Sequence, residues 1–440
     1  MAYKQKRKMN YMHTLTVFIC LFILMSIFFS FPISSEYISK TIHGDSNTLY
    51  VGGDEPGSYS SIKSAIDAAR SGDTVFVYQG IYEENIVIAK SIQLIGQHAS
   101  STIIDGGGHA TVVYISADHV NVSNFTIQNS GTMNADAGVI LNANGILLTN
   151  LVIQQTNKGI SFEYSHQNQV YNVSISNQYS SGITLLESTE NRIYETIITQ
   201  VTNGISIETG SDSNILYANT ISHMDIGYYV RSSSYNLIYW NVMTDGTYGI
   251  YLENADMNSI ITENVISEAT YGIYLKDSSD NEIDDGNIIF QTQYGIFLSQ
   301  SDKNNIGENT VYENTYGLTI DRSDMNNIFW NNIFNNIYGI KIIASTQIDV
   351  FLNNIIENYQ YGLFLSDASS ITIAYNNFIE NGIHAYFIEP LFSRNSVKKN
   401  YYDDWRGNGA YVLDGELTTF TFLQNWHKRD RKPTDTPYEI

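Results

Sequence analysis

The chain of 440 residues carries 45 acidic against 23 basic side chains, a formal charge of −22, which excludes a polyanion such as nucleic acid as its natural partner. With 33 tyrosines and only 5 prolines the composition is that of strands, and the single cysteine, Cys20, excludes a disulfide framework. This length could fill two or three ordinary domains, but a repeat array grows by stacking and needs no single globular core.

Residues 1–35 come first. Lys4, Lys6, Arg7 and Lys8 precede an apolar run from Leu15 to Phe31, the pattern of a secretory signal peptide or an uncleaved N-terminal membrane anchor. Either fate puts the remainder outside the cytoplasm, as a secreted, periplasmic or cell-surface protein that meets the membrane only through this segment. Once those four cations are set aside, 19 basic residues stand against 45 acidic ones, a formal charge of −26.

A polar linker over 36–49 leads into residues 50–157, read as an N-terminal cap and the first irregular coils. Ile62, Ala65, Ile66 and Ala69 are spaced to share one face of a helix from Ser61 to Arg70, capped by Ser60 or Ser61 and stopped by Gly72. Short strands are expected at Thr74–Tyr78, Asn85–Ile88, Ile92–Ile95 and Thr102–Ile104, with Gly80, Gly96 and Gly106–Gly108 as the breaks between them. A longer loop at Met133–Ala137 separates Asn124 from its counterpart Asn150.

Residues 158–394 repeat. Glycines at 159, 182, 204, 227, 249, 272, 295, 317, 339 and 362 recur with a mean step of about 22.6. Two asparagine columns run in register with them. One is Asn168, Asn191, Asn214, Asn236, Asn258, Asn281, Asn304 and Asn326; the other is Asn219, Asn241, Asn264, Asn287, Asn309, Asn332, Asn354, Asn377 and Asn400. Alternation within each repeat has the period of strands, so the fold class is all-β: a single-stranded parallel β-helix with about 22–23 residues and three short strands per coil, stacked about 4.8 Å apart. The glycine is expected to take a positive φ at a corner, the asparagines to form hydrogen-bonded ladders, and Tyr248, Tyr271, Tyr294, Tyr316, Tyr338 and Tyr361 to stack. Ile348 and Ile371 end the first asparagine column before the rod ends. Residues 395–440, with Trp405, Phe420, Phe422 and Trp426, read as a C-terminal cap.

Ser61–Ala69, Ser71-Gly-Asp-Thr-Val75, Gly80-Ile-Tyr-Glu83, Ile104-Asp-Gly-Gly-Gly108, the Asn-x-Ile repeats, Asn400-Tyr-Tyr-Asp-Asp-Trp405 and Asp435-Thr-Pro-Tyr438 together resemble the NosD-type family of exported β-helix proteins, in the wider pectin-lyase-like group. The resemblance spans roughly residues 50–440. It implies a right-handed coil and relatives among carbohydrate-binding and sugar-hydrolase β-helices. It also implies a link to copper delivery, yet no copper-ligand motif carries over, and the histidines are scattered.

Outward positions hold the candidate chemistry. Tyr229, Tyr251, Tyr274 and Phe297, each two residues after a column glycine, form a row on which sugar rings could stack, or an outer ladder that only supports the sheet. Glu208, Arg231, Glu253 and Lys276 alternate in sign, which fits a salt-bridge ladder better than the paired acids of glycoside hydrolysis. Glu263, Asp284, Asp285 and Glu308 occupy matching positions in three adjacent coils and are the candidate Ca²⁺ ligands, although alternation can turn them apart. Asn121, Asn124 and Asn172 stand in glycosylation sequons. No cofactor is required by these residues. The preferred reading is a non-enzymatic exported β-helix that binds polysaccharide or builds a cell-surface scaffold; a polysaccharide lyase, epimerase or hydrolase, and an accessory protein of copper-enzyme maturation, are the alternatives.

Overall fold

Three strand tracks wind around one buried apolar column. The computed structural model describes residues 47–440 except 55, 391–392 and 419–422, so the expected signal segment, most of the linker, Phe420 and Phe422 lie outside the described residues. In one coil, Tyr248–Glu253 lies on the first face, Ser259–Ile260 on the second and Val265–Ser267 on the third, after which Tyr271 re-enters the first face. Each strand pairs in parallel with its equivalents one coil before and after, as in Tyr251↔Tyr274↔Phe297. In four consecutive coils the third-face and first-face strands run together as one bent strand of 12 residues, the first being Ile197–Glu208.

Alternation places Ile250, Leu252, Ile260 and Ile266 fully inside, and the same positions are apolar coil after coil. Tyr228 brings a wholly buried phenol into this inner column, and its hydroxyl donates to Asn241 Oδ1 at 2.8 Å.

The glycine column has a different cause from the one expected. None of its ten members has a positive φ. A Cβ on Gly272 would lie 2.5 Å from the carbonyl oxygen of Gly295 and 2.5 Å from Ile289 Cγ2, so the column is glycine because the next coil's backbone and an inward isoleucine occupy the side-chain position. The left-handed conformation falls instead on corner residues that do carry side chains, such as Glu195, Ala218, Trp240 and Glu263, at φ of +51°, +53°, +56° and +55°. Their N–H groups reach the next coil, as in Trp240 N to Thr262 O at 2.9 Å.

Asparagines hold the turns. In the first ladder Asn214 Oδ1 accepts from both the backbone N–H and the Nδ2 of Asn191, and the pattern repeats down the rod. The second ladder runs through Asn219, Asn241, Asn264, Asn287, Asn309, Asn331, Asn353, Asn376 and Asn400. At its sixth, seventh and eighth members the register corrects the sequence reading by one residue, before Asn400 restores it. Asn332, Asn354 and Asn377 are strand residues that form a separate outer ladder with one another. Each is the second of an Asn-Asn pair, and spacing alone cannot tell which member enters the turn. A third ladder, Asn314, Asn336, Asn358 and Asn381, and a serine ladder through Ser278, Ser301, Ser323 and Ser345 add to those expected from the sequence.

Both ends are closed. Helix α1 (Ile62–Ala68) lies over the first coils with Ile62, Ala65 and Ile66 buried and Ser61 as its N-cap. The Glu84 carboxylate accepts from Ile62 N and Lys63 N at the helix N-terminus, and Lys90 Nζ donates to the carbonyls of Ile66, Asp67 and Ala69 at its C-terminus, so each end of the helix dipole meets an opposite charge. The helix stops at Ala69, earlier than Gly72. Gly80, read as a break, opens a strand, Gly80–Glu83. At the other end Tyr411–Thr418 pairs in parallel with the last first-face strand and antiparallel with Leu423–Asp430. Carboxylates finish the ladders there. Buried Asp430 accepts from Lys399 N, Asn400 N and Asn400 Nδ2, and buried Glu389 accepts from Asn395 Nδ2 and Lys428 Nζ.

Candidate functional site

The first face gathers the predicted aromatics. Tyr229, Tyr251, Tyr274 and Phe297 stack along the rod with ring centroids 5.3, 5.1 and 5.2 Å apart. The Tyr248–Tyr271–Tyr294–Tyr316 column lies beside them at spacings of 5.0, 4.9 and 4.8 Å. The two columns touch, with Tyr248 5.0 Å from Tyr251 and Tyr271 5.1 Å from Tyr274. The result is a continuous half-buried patch two rings wide. Because neighbouring rings occupy much of each other's faces, the patch offers solvent its ring margins and phenol hydroxyls more than open faces. Beyond Phe297 the outer column changes to Thr319 and then Lys341, whose Nζ lies 4.9 Å from the Tyr316 ring centre.

Charges beside the patch are paired. Glu253 Oε1 takes Lys276 Nζ at 2.8 Å, and its Oε2 accepts from Tyr229 Oη at 2.6 Å with Arg231 Nε at 3.9 Å. The bonds to Lys276 and Tyr229 hold the Glu253 carboxyl below its ordinary range. Burial, then the bond to Glu253, pushes the Tyr229 phenol up to about 12. The expected ladder therefore exists as Arg231–Glu253–Lys276, without Glu208. A second stack, Tyr171, Tyr194, Tyr217 and Tyr239, runs down the second face at 4.8–5.0 Å, and its 22–23-residue spacing is the sequence signal for it.

The four acids proposed for Ca²⁺ do not come together. They sit on the corner between the second and third faces, where Glu263, Asp285 and Glu308 each adopt the left-handed conformation. Asp285 Oδ2 accepts from the Thr262 hydroxyl, whereas Asp284 Oδ1 lies over Gly307 and accepts from Asp285 N, and burial pushes its carboxyl up. Of the sequon asparagines, Asn172 is exposed at a corner and donates to Asn150 Oδ1, while Asn121 and Asn124 are half-buried.

A different group converges. Among the described residues, His384, Asp403 and Asp404 are the one set of three metal-capable side chains whose ligand atoms lie within 4.8 Å of one another. His384 Nε2 is 3.1 Å from Asp403 Oδ1 and 3.3 Å from Asp404 Oδ1. The imidazole is only 8% exposed, and the rings of Phe378, Tyr402 and Tyr411 surround it. Burial pushes its pKa down, against the pull of Asp404 and Asp403. The sequence did hold a signal. The next step of the glycine column, 22 residues after Gly362, is His384, and it faces the cap instead of another regular coil.

The profile of the family described as "Periplasmic copper-binding protein (NosD)" matches residues 66–245 and 240–361, and that described as "Right handed beta helix region" matches 349–429. Among solved structures, the bacteriophage CBA120 tailspike protein 3 aligns over 86% of this chain and 67% of its own, at 12% identity and a TM-score of 0.53. The Azotobacter vinelandii mannuronan C-5 epimerase AlgE6 A-module covers 76% of this chain and 92% of its own, at 13% identity and a TM-score of 0.42. The catalytic domain of a GH87 alpha-1,3-glucanase in complex with nigerose covers 87% and 69%, at 14% identity and 0.44. No curated protein sequence matches the chain. At these identities the tailspike likeness concerns the fold, a right-handed parallel β-helix.

Proposed function

This chain belongs to the NosD family of right-handed β-helix proteins, and we propose that it is an extracytoplasmic, non-enzymatic scaffold that holds polysaccharide along its first face. The observation that carries this reading is the two-ring-wide aromatic patch from Tyr229 to Tyr316, lined by phenol hydroxyls on a face built for rigidity. Sugars meet such a surface with their apolar C–H faces against ring margins and their hydroxyls against the phenols. The formal charge of −22 favours neutral polysaccharide over uronate chains.

Binding fits the electrostatics of this face better than turnover does. Glycoside hydrolysis needs one carboxyl kept protonated near neutral pH, opposite a second carboxylate. Glu253 is held the other way, toward the ionised form, by Lys276 and Tyr229.

The family description names copper, and the donors here do not fit its delivery. Cu(I) favours thiolate, thioether and clustered imidazole ligands. His384 converges with two carboxylates, and the His223–Met224 pair is split, with Met224 buried and His223 exposed beside Asp245. No step through copper is assigned.

Affinity electrophoresis of the full-length protein in gels cast with neutral or uronate-containing polysaccharides tests the proposal, with product analysis alongside. Retardation by a neutral polysaccharide without new chain ends is expected. Unretarded migration in every gel, or any turnover, would overturn it.

A further inference from the structure

We propose that His384 Nε2, Asp403 Oδ1 and Asp404 Oδ1 form a divalent-cation site, of the zinc type, that fastens the C-terminal cap to the last regular coil. His384 belongs to the first-face strand Ile383–Pro390, whereas Asp403 and Asp404 follow the third-face strand Tyr401–Tyr402, so one ion would tie two faces of the rod at the point where the repeat ends.

Geometry supports the assignment. A tetrahedral ion with bonds of about 2.0–2.2 Å keeps its ligands about 3.3–3.6 Å apart. The imidazole nitrogen already stands 3.1 and 3.3 Å from the two carboxylate oxygens. Each carboxylate is aimed by its other oxygen: Asp403 Oδ2 accepts from Glu380 N at 3.2 Å, and Asp404 Oδ2 accepts from Tyr411 Oη at 3.1 Å. Outer partners of this kind orient metal ligands. The ring itself is clamped by Phe378 and Tyr402. Asp404 is more than half exposed, which gives an ion its way in and leaves room for water as a fourth ligand.

Charge supports it independently. Two carboxylates meet a nitrogen that can offer them a single proton, and among the described residues neither makes an ion pair with Lys or Arg. One imidazole and two carboxylates form a borderline-to-hard donor set, which suits zinc.

The competing occupant of this point is the ring proton, shared between Asp403 and Asp404. Asn381 Nδ2, 3.4 Å from His384 Nδ1, favours that arrangement in the metal-free protein. A bound ion would leave the ring proton on Nδ1, so Asn381 Nδ2, held by the Ile355 carbonyl, would have to yield its 3.4 Å contact with the ring.

Full-length protein stripped with a chelator and dialysed against Zn²⁺ is expected to retain one equivalent. Asp404→Asn, at an exposed side chain, and His384→Gln should each weaken zinc binding by about tenfold or more. His427→Gln, which alters the exposed His427–Asp414 pair, should leave it unchanged. Zinc should raise the thermal midpoint of the wild type and not that of Asp404→Asn. The proposal is overturned by absence of bound zinc, by undiminished binding in natively folded Asp404→Asn, or by loss of binding in His427→Gln.

Discussion

The regular coils and the C-terminal cap use the same backbone to opposite ends. In the coils every position lies over its own equivalent, so asparagine meets asparagine and tyrosine meets tyrosine, as at Asn241–Asn264–Asn287 and Tyr248–Tyr271–Tyr294. Such stacking satisfies and stiffens, but it seldom brings unlike groups to a point. In the cap the register breaks: His384 takes the glycine position, Asp430 the asparagine position, and imidazole, carboxylate and phenol converge. A solenoid buys stability with repetition and finds room for mixed chemistry where repetition stops or faces outward.

That contrast predicts where substitutions act. The largest effect belongs inside a ladder. Asn264→Ala removes the acceptor of Asn241 N and Nδ2 and leaves the Ile261 carbonyl unpaired, while the Ile238 carbonyl keeps only its bond from Ile261 N, so chemical denaturation should show a loss of about 4 kcal/mol. A loss below about 1 kcal/mol would mean that water replaces the ladder. Gly272→Ala comes next, at about 3 kcal/mol by the same measurement, since its Cβ has only the Gly295 carbonyl and Ile289 to displace. Had the glycine served a positive φ, alanine scanning of the column would follow backbone strain; here it should follow the closeness of the next coil.

The smallest effect is electrostatic and lies on the outer face. Glu253 has a lowered carboxyl pKa in the folded chain, so its contribution is present above the ordinary glutamate range and is lost as pH falls through the folded value. Thermal midpoints followed from pH 7 into acid should converge for the wild type and Glu253→Gln. A constant difference across that range would assign the residue a packing role instead.

How much was legible follows from the same contrast. Period, strand alternation, the capping helix and both tyrosine columns on the first face could be read, because a repeat writes each geometric demand many times. The glycine column was seen but misexplained, since steric contact with the next coil is a property of the stack and not of one turn. Asn332, Asn354 and Asn377 were misplaced by one residue within Asn-Asn pairs, and only pairing register separates the inner amide from the outer. The acids from Glu263 to Glu308 shared a column but not a direction, because Asp284 found space over Gly307 and Asp285 bonded Thr262. His384 is one of several scattered histidines by composition, and only its place in the interrupted glycine column sets it apart from the rest.

The central claim, that outward departures from the repeat carry the binding function, is tested most directly by the dissociation constant for a retarding neutral polysaccharide in the wild type and in Tyr251→Ser/Tyr274→Ser. The paired substitution opens the middle of the aromatic patch while leaving Ile250, Leu252, Ile273 and Leu275 in the core. Binding weakened at least about tenfold, with the rod still folded by circular dichroism, is the predicted result. Unchanged affinity in the folded variant would contradict the account and return these rings to the role of a supporting ladder.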